Sequence, residues 1–454
     1  MKNTLELVKN NSFSVDVFGL GYVGFPLAVR LANGNVKVNG IDINSKRIER
    51  LQENQLMDSE VYLKNEFIEC RNNNHLELSI TPKLSELPKI GIICVHTPIP
   101  DGNIKSNKFV IEATEKFLDS SKEGDIIIIE SSVSGGTTEE IKKIVESKGY
   151  EVGKNFGVCF CPERIDPQNK KWNLENIPRI IYCSDDISFE IIKTIYHHVN
   201  NANLLRVSSS KVAEVVKSYE NAFRLVNISL VNELAILCDK LGINVKEVIN
   251  AASTKPFGFM PFLPGAGAGG HCIPKDPVFL LDAAKKNNLE FSTIENALDI
   301  NFKIPKYISQ KIENRCTDLG LERSILICGL TYKADVEDMR DSPGFKLIKE
   351  FNEKKFKVYS YDPYYKKELL KKYLKENFVS HLDFESIDNL ENSIIEKINC
   401  LCLVQHHTKD KFKIKKIYEN SIFPYIYDCQ NKIVIDEKSK TIVEYFGNKI
   451  NGLK

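Results

Sequence analysis

Net charge is what this sequence has least of. Its 454 residues set 62 lysines and arginines against 61 aspartates and glutamates. That balance gives no long-range pull on nucleic acid or another polyanion, and leaves room only for a local basic pocket. Unbroken apolar runs of about 18 residues are missing as well, so no membrane-spanning segment and no membrane partner is expected. Residues 1–11 are polar where a secretory signal has an apolar centre. Cysteine occurs twelve times, but no pair has the CxxC spacing of a metal site. Most lie in apolar runs such as Ile92-Ile93-Cys94-Val95 and Ile327-Cys328. They read as reduced core residues, so a cytoplasmic location and no metal are expected. Solenoid repeats and low-complexity segments are also absent.

The length suits two or three domains, and 42% hydrophobic with 27% charged residues is the composition of a globular chain with ample core. Strand-like runs at 15–20, 36–43, 90–97, 125–130 and 157–161 alternate with segments long enough for crossover helices. This alternation predicts a parallel sheet covered on both faces. The pattern changes at 208, where three serines can cap a helix that meets no proline or glycine before Gly242. At 1.5 Å per residue that helix would be about 50 Å long, too long for one small domain. It is expected to link domains and carry a subunit contact. Helical sequence runs on to about 315. Then a strand at 323–329, a helix at 343–354 and a strand at 357–361 begin a second doubly wound domain.

Three segments carry chemistry. In Gly19-Leu20-Gly21-Tyr22-Val23-Gly24 a strand runs into a helix, and Asp42 ends the next strand. The first glycine permits the turn, the second admits a pyrophosphate, and the third packs helix on strand; the helix N-terminus faces the phosphates. Asp42 would accept from a ribose 2′-hydroxyl and repel a 2′-phosphate, so NAD is expected rather than NADP. Lys46 and Arg47 soften that preference. A glycine triplet alone is often a plain loop; strand, helix and acid in register make this one a dinucleotide site.

The stretch Pro264-Gly265-Ala266-Gly267-Ala268-Gly269-Gly270-His271-Cys272 has four glycines in six residues. Their backbone entropy disfavours helix or strand, so this is a loop that lets something approach its backbone. Pro274 and Pro277 fit only a first helical turn, which predicts a helix beginning just after Cys272. The positive end of its dipole would favour a thiolate there. A buried structural cysteine is the plainer alternative, and it suits the other eleven. On the long helix, Lys217, Asn221 and Arg224 share one face. The neighbouring stripe Val212, Val215, Val216, Tyr219 and Phe223 is expected to be core. Standing alone, such a polar face would simply be solvated.

Together these residues resemble the UDP-glucose/UDP-N-acetylhexosamine dehydrogenase family over nearly the whole chain. Matching pieces are 19–24, Val95-His96-Thr97-Pro98, Glu130-Ser131-Ser132-Val133 with Gly136-Thr137-Thr138, and Pro162-Glu163-Arg164-Ile165-Asp166-Pro167. Others are 217–233, 264–277, and 329–343 with Tyr361-Asp362-Pro363. The resemblance implies an α/β chain with two doubly wound Rossmann-like domains, joined by the long helix and an all-helical dimerisation domain. Residues 1–205 would bind NAD, 206–315 would dimerise and hold the cysteine loop, and 316–454 would bind a UDP-sugar. It implies a homodimer or higher homo-oligomer and a four-electron oxidation of the sugar's primary alcohol through a thioester, for surface polysaccharide synthesis. Cys272 would be the nucleophile, Lys217 the cation facing the reacting oxygen, and Asn221 would polarise the oxyanion. Asp276 would orient water or Lys217, and Glu163 would be the base for thioester hydrolysis. Implied cofactor contacts are Gly19, Gly21, Tyr22, Val23, Gly24, Asp42, Arg47, Thr97, Ser132, Lys275 and Arg340, the last reaching a neighbouring subunit. Implied substrate contacts are Arg164, Ile165, Lys217, Asn221, Arg224, Lys255, Gly269, Tyr332 and Lys333. The turn Gly329-Leu330-Thr331-Tyr332-Lys333 lacks a glycine triplet, so no second dinucleotide site is expected there.

Some positions depart from the family pattern: Ser132 for threonine, Gln168 for glycine, Gln430 for arginine, and the atypical Asn54-Gln55 and Asp58-Ser59-Glu60. None removes a catalytic group. The segment 254–262, Gly270-His271-Cys272-Ile273-Pro274, Pro162-Glu163-Arg164 and 221–227 resemble the UDP-N-acetylglucosamine branch, whereas Lys275 is typical of UDP-glucose enzymes. UDP-N-acetyl-D-glucosamine is therefore the expected substrate, with UDP-glucose as the alternative. A non-catalytic sugar sensor would have lost Cys272, Lys217 or Asp276. A one-step alcohol or β-hydroxyacid dehydrogenase would lack the cysteine loop and third domain.

Overall fold

The computed structural model describes residues 1–97, 107–166, 169, 171–199, 203–376, 382–388, 390, 395–419, 423–434 and 441–451. Pro98, Pro167 and Gln168, singled out above, lie outside them. The chain divides into two compact units, residues 1–220 with 278–289 and residues 221–277 with 290–454.

The first unit is built on β1 (Ser14–Phe18), β2 (Lys37–Ile41), β3 (Leu76–Ser79), β4 (Lys89–Ile93), β5 (Ile126–Ile129), β6 (Gly157–Phe160), β7 (Arg179–Cys183) and β8 (Leu204–Arg206). Their order in the sheet is β3-β2-β1-β4-β5-β6-β7-β8. Strand β5 shows why helices cover both faces. Ile126 and Ile128 belong to one apolar core, and Ile127 and Ile129 to another, so the strand reads as an unbroken isoleucine run. The five strands expected from sequence are present, each shorter than expected by one to three residues. Strands β3, β7 and β8 were not anticipated. The short Leu-Glu-Leu-Ser and Leu-Leu-Arg runs of β3 and β8 are only partly buried and make no apolar signal. Strand β7 runs antiparallel to β6, pairing Cys159 with Cys183, so the sheet is parallel only in its main body.

The second unit repeats the design with β9 (Ser324–Cys328), β10 (Lys357–Tyr361), β11 (Glu385–Ser386), β12 (Cys400–Leu403), β13 (Tyr425–Asp428), β14 (Ile442–Tyr445) and β15 (Asn448–Asn451). The order is β11-β10-β9-β12-β13-β14-β15, with only β15 antiparallel to its neighbour. Again alternate residues serve opposite cores, Ile325 and Ile327 against Leu326 and Cys328. Helices Val245–Ala252 and Ser292–Asp318 share the first of these cores through Ile249, Ile304, Ile308 and Ile312.

The long helix runs from Ser210 to Leu241, 32 residues, and Ser209 caps it by accepting from the Val212 N–H at 3.3 Å. Its expected polarity is reversed. Val212, Val215, Tyr219 and Phe223 are exposed, Tyr219 by 60%, while Glu214, Lys217, Ser218, Asn221, Ser229 and Asn232 are buried. Of the five apolar residues expected inside, Val216 alone packs at a core edge. Glu214, Asn221, Ser229 and Asn232 are tolerated there because they are bonded. Glu214 accepts from the N–H groups of Gly136 at 2.8 Å and Thr138 at 2.9 Å, at the start of the helix Thr137–Ser147, where a carboxylate suits the dipole. By length and composition the long helix is apolar enough to cross a membrane, although polar residues interrupt its apolar ones throughout. Only 44% of that apolar window is buried, as the outward apolar face requires.

Candidate active site

In the first unit, functional side chains follow the carboxyl ends of β1, β4, β5 and β6, where open α/β sheets bind ligands. Gly19 has φ +88°, and a Cβ there would lie 2.7 Å from the Cys94 carbonyl oxygen; one on Gly24 would lie 2.0 Å from the Gly19 oxygen. Neither position accepts a side chain. A Cβ on Gly21 would meet nothing within 4 Å, so its backbone is open to a phosphate group. The residues fit a dinucleotide. Asp42 accepts from Leu20 N–H and Asn44 N–H, both at 2.9 Å, and stands beside a cavity of about 410 Å³ lined by Gly19, Gly21, Ile43, Cys94 and Phe109 among others. Each of its oxygens keeps a lone pair for a ribose hydroxyl. Tyr22 and Val23 lie half-buried on the turn, with Thr97 buried after β4 and Ser132 half-buried after β5.

Arg47 differs from expectation. It donates to the Leu20 carbonyl at 3.1 Å, lies over the Phe25 ring and forms an ion pair with the buried Glu60. Glu60 also accepts from the Met57 N–H at 3.0 Å. The atypical loop thus supplies a carboxylate partner for Arg47, and this arginine braces the turn.

After β6, Glu163 donates its N–H to the Glu130 carbonyl at 3.4 Å. Arg164 pairs with Glu220 at 2.5 Å and donates to Pro178 O at 2.8 Å, and Ile165 packs on the core. Lys217 is buried on the long helix, one turn before Asn221.

In the second unit, Cys272 is partly exposed; of the other eleven cysteines only Cys94 is not buried. Its carbonyl accepts from Lys275 N–H at 3.2 Å and Asp276 N–H at 2.9 Å. The winding therefore starts at Cys272, but regular helix begins only at Asp276, since Pro274 has no N–H to give. Asp276 is fully buried and accepts from Asn221 Nδ2 at 2.6 Å. Lys275 is buried too, its Nζ 2.8 Å from His271 Nε2 and 3.7 Å from Asp276 Oδ1.

Side chains hold the loop. Asn232 Oδ1 accepts from Gly265 N–H at 3.0 Å, Asn301 Oδ1 from Ala268 N–H at 2.6 Å, and Asn301 Nδ2 donates to Ala268 O at 3.0 Å. A Cβ on Gly269 would lie 2.6 Å from Asp341 O, and one on Gly270 would lie 2.8 Å from the Tyr332 ring. This close packing brings Gly269 against the segment that carries Tyr332 and Lys333. Arg340, on the same segment, is paired with Asp338 at 2.6 Å. Arg224 and Lys255 are exposed, with the Lys255 ammonium over the Phe257 ring; neither joins this cluster. Gln430, in place of an arginine, bonds to Val404 O and Gln405 Oε1.

Glu60, Asn232, Asn301, His271 and Asp362 escaped the sequence reading of roles. Asp362 occupies the place in the second sheet that Asp42 holds in the first. It accepts from Leu330 N–H at 2.7 Å, Thr331 N–H at 3.1 Å and Tyr364 N–H at 2.9 Å, and is buried. A polar residue interrupting an apolar helical stripe, as Asn232 and Asn301 do, is the signal that could have found two of them.

Comparison with known proteins agrees over nearly the whole length. Three models of the UDP-glucose/GDP-mannose dehydrogenase family match: its NAD binding domain at residues 13–200, its central domain at 211–303 and its UDP binding domain at 326–435. The UDP-N-acetyl-D-mannosamine dehydrogenase of Methanococcus vannielii is 33% identical, over 93% of this chain and 92% of its own. The UDP-N-acetyl-D-glucosamine 6-dehydrogenase of Pseudomonas aeruginosa is 33% identical over 77% and 82%. Among solved structures, the UDP-D-ManNAc dehydrogenase of Pyrococcus horikoshii superposes with a TM-score of 0.82 at 28% identity, covering 96% and 99% of the two chains.

The Glu60–Arg47 pair yields a test. Glu60→Gln keeps the acceptor for Met57 but frees the guanidinium, and should raise kcat/KM for NADP relative to NAD roughly tenfold, the low end of a charge-assisted bond. An unchanged ratio would mean that Glu60 does not mask Arg47.

Proposed function

Because this chain belongs to the UDP-glucose/GDP-mannose dehydrogenase family, we propose that it oxidises a UDP-N-acetylhexosamine twice at its primary alcohol, through a thioester on Cys272. It is an NAD-dependent oxidoreductase of nucleotide sugars. The observation that carries the finer reading is the setting of Cys272: a partly exposed thiol at a helix start, with the bonded, buried pair Asn221 and Asp276 one turn away.

Bound NAD supplies a two-electron acceptor at each of two steps. The chain's own groups do the rest. Cys272 thiolate adds to the aldehyde carbon and forms a thiohemiacetal, so the reactive aldehyde does not leave. After the second oxidation the carbon is a thioester, and water activated by Glu163 releases the carboxylate. Lys217 and Asn221 stabilise the alkoxide-like states, a role worth about 3–4 kcal/mol per donor. Arg164, Tyr332 and Lys333 contact the UDP-sugar; Lys275 and Arg340 serve the cofactor.

For the sugar, the loop motifs favour an acetamido group over a 2-hydroxyl. Between its epimers we rank manno above gluco, because relatives named for the mannosamine sugar align over more of this chain. UDP-glucose ranks third. That none of the twelve cysteines forms a disulfide supports a reducing compartment such as the cytoplasm. We also propose a functional division into NAD, dimerisation and UDP-sugar segments at 1–205, 206–315 and 316–454.

Mass spectrometry and absorbance on a panel of UDP-sugars would test this. UDP-N-acetylmannosamine or UDP-N-acetylglucosamine should exceed UDP-glucose in kcat/KM by roughly 10²-fold, as lost buried hydrogen bonds predict. Two NADH should form per carboxylate. Better turnover of UDP-glucose, or one NADH with free aldehyde, would overturn the assignment. In Cys272→Ala, sugar and NAD should still bind while uronate release stops; turnover at the original rate would rule the thioester out.

We also infer a homo-oligomer. Tyr219, Phe223, Leu230 and Leu237 on the long helix, and Phe257, Met260 and Leu263 before the cysteine loop, are large exposed apolar side chains, more than a monomer usually leaves in view. A second copy covering them fits the family. Light scattering should give at least a dimer at micromolar concentration, and Leu230→Glu should weaken it; a monomeric parent protein would refute the idea.

A further inference from the structure

Tyr332 and Lys333, read above as UDP-sugar contacts, stand on a stretch that is neither helix nor strand. Its backbone therefore has to find partners outside any ladder. Asp362 accepts from the N–H groups of Leu330 and Thr331, and Tyr332 N–H donates to Asp338 O at 2.9 Å. Gln405 Nε2 donates to Tyr332 O at 2.9 Å, and the Thr331 hydroxyl donates to Lys333 O at 3.0 Å. At the far end, Asp335 N–H donates to His407 Nδ1 at 3.0 Å.

Asp335 is the strained point of the stretch. Its φ is +62°, a left-handed conformation that costs a residue with a Cβ, though aspartate accepts it better than most. Such residues persist where their surroundings hold them, and they cluster at functional sites. Two bonds hold this one, both from the segment after β12. One is the His407 ring; in the other, Thr408 N–H donates to Asp335 Oδ1 at 2.8 Å.

His407 is buried, and its partners determine its form. A ring nitrogen that accepts an N–H carries no proton, so the ring is neutral with its proton on Nε2. Nε2 lies 3.3 Å from both Asp362 Oδ2 and Thr331 Oγ1. The Thr331 proton is committed to Lys333 O, so both of these oxygens are acceptors. The Tyr364 ring closes the setting, its centroid 5.2 Å from that of the imidazole. One imidazole thus joins the two ends of the stretch, Asp335 through Nδ1 and Thr331 with Asp362 through Nε2. Tyr332 and Lys333 lie between those ends.

We propose that His407 is a positioning residue for the UDP-sugar. Its ring clamps both ends of residues 331–335 and so fixes the backbone from which Tyr332 and Lys333 reach the substrate. This rests on the reading of those two residues as UDP-sugar contacts. His407 acts through the turn, not on the substrate, and takes no part in hydride or acyl transfer. Its loss is therefore a loss of binding, equal in ground and transition states.

The test combines steady-state kinetics with calorimetric binding of UDP-N-acetylmannosamine, or the glucosamine epimer if it turns over better. His407→Phe keeps a planar ring but removes both bonds, leaving Asp335 N–H without its acceptor. It should weaken sugar binding and raise the KM for the UDP-sugar roughly tenfold, with kcat and the KM for NAD changed by no more than about twofold. His407→Asn brings an amide oxygen near the place of Nδ1 and should recover most of the affinity. His407→Gln, whose amide reaches the place of Nε2, should recover less. Loss of folded enzyme lowers kcat and leaves KM alone, so a fall in kcat with sugar affinity unchanged would reduce His407 to a structural role and overturn the proposal. If His407→Phe fails to fold, the other two variants decide: equal sugar affinity in His407→Asn and His407→Gln would overturn it as well. Lys333→Ala separates the two readings, and should itself weaken sugar binding. If it does not, Lys333 is no UDP-sugar contact, and this inference falls with that reading. If Lys333→Ala weakens binding but His407→Phe does not, this inference alone fails.

Discussion

The placing of the Cys272 thiol depends on two asparagine side chains. A loop with four glycines in six residues has almost no conformational preference of its own, and as neither helix nor strand it has no ladder to satisfy its backbone. Asn301 takes both the N–H and the C=O of Ala268, as a neighbouring strand would, and Asn232 takes the N–H of Gly265. Each buried backbone group left alone would cost about 1–3 kcal/mol, so the loop has one conformation it can afford. Downstream the same loop turns at Cys272 into the helix of Asp276, whose carboxylate is held by Asn221. The glycine-rich loop therefore ends at a buried, bonded carboxylate.

Each unit presents a carboxylate at the end of the second strand of the same strand order, and the difference between the two explains their different work. Asp42 spends its oxygens on two backbone N–H groups and stays partly exposed. Asp362 takes three such bonds and is buried. In the first unit the helix begins at Gly24, directly after the turn; in the second it begins at Pro343, well after Gly329. The intervening residues hold Tyr332, Lys333 and Arg340. A turn shaped to admit a pyrophosphate has become a turn that displays side chains.

Much of this was legible in the sequence. Gly19, Gly24 and Asp42 are fixed by local sterics and hydrogen bonds, so their spacing carried the fold around them. Cys272 was legible because glycine and proline on either side restrict what its backbone can do. Polarity on the long helix was misread for a definite reason: an apolar stripe tells which face avoids water, not which molecule covers it. Val212, Val215, Tyr219 and Phe223 point outward, and the inward face is built from Glu214, Lys217 and Asn221, of which Glu214 and Asn221 bond to residues distant in sequence. Arg224 followed the helical period yet lies exposed. The partners Glu60–Arg47 and Asn301–Ala268 join residues whose pairing no local pattern encodes.

The boundary between the two units falls inside the long helix, between Glu220 and Asn221. Lys217 and Asn221 stand four residues apart on that helix, so about 6 Å of helical rise sets their spacing along it, and no loop has a say in it. Their relation is one of phase. Adding or deleting a single residue between them would swing one side chain about 100° from the other while leaving every glycine motif intact. Length variation that loops absorb freely is therefore forbidden over these few positions, and the helix acts as a fixed ruler for the chemistry it carries.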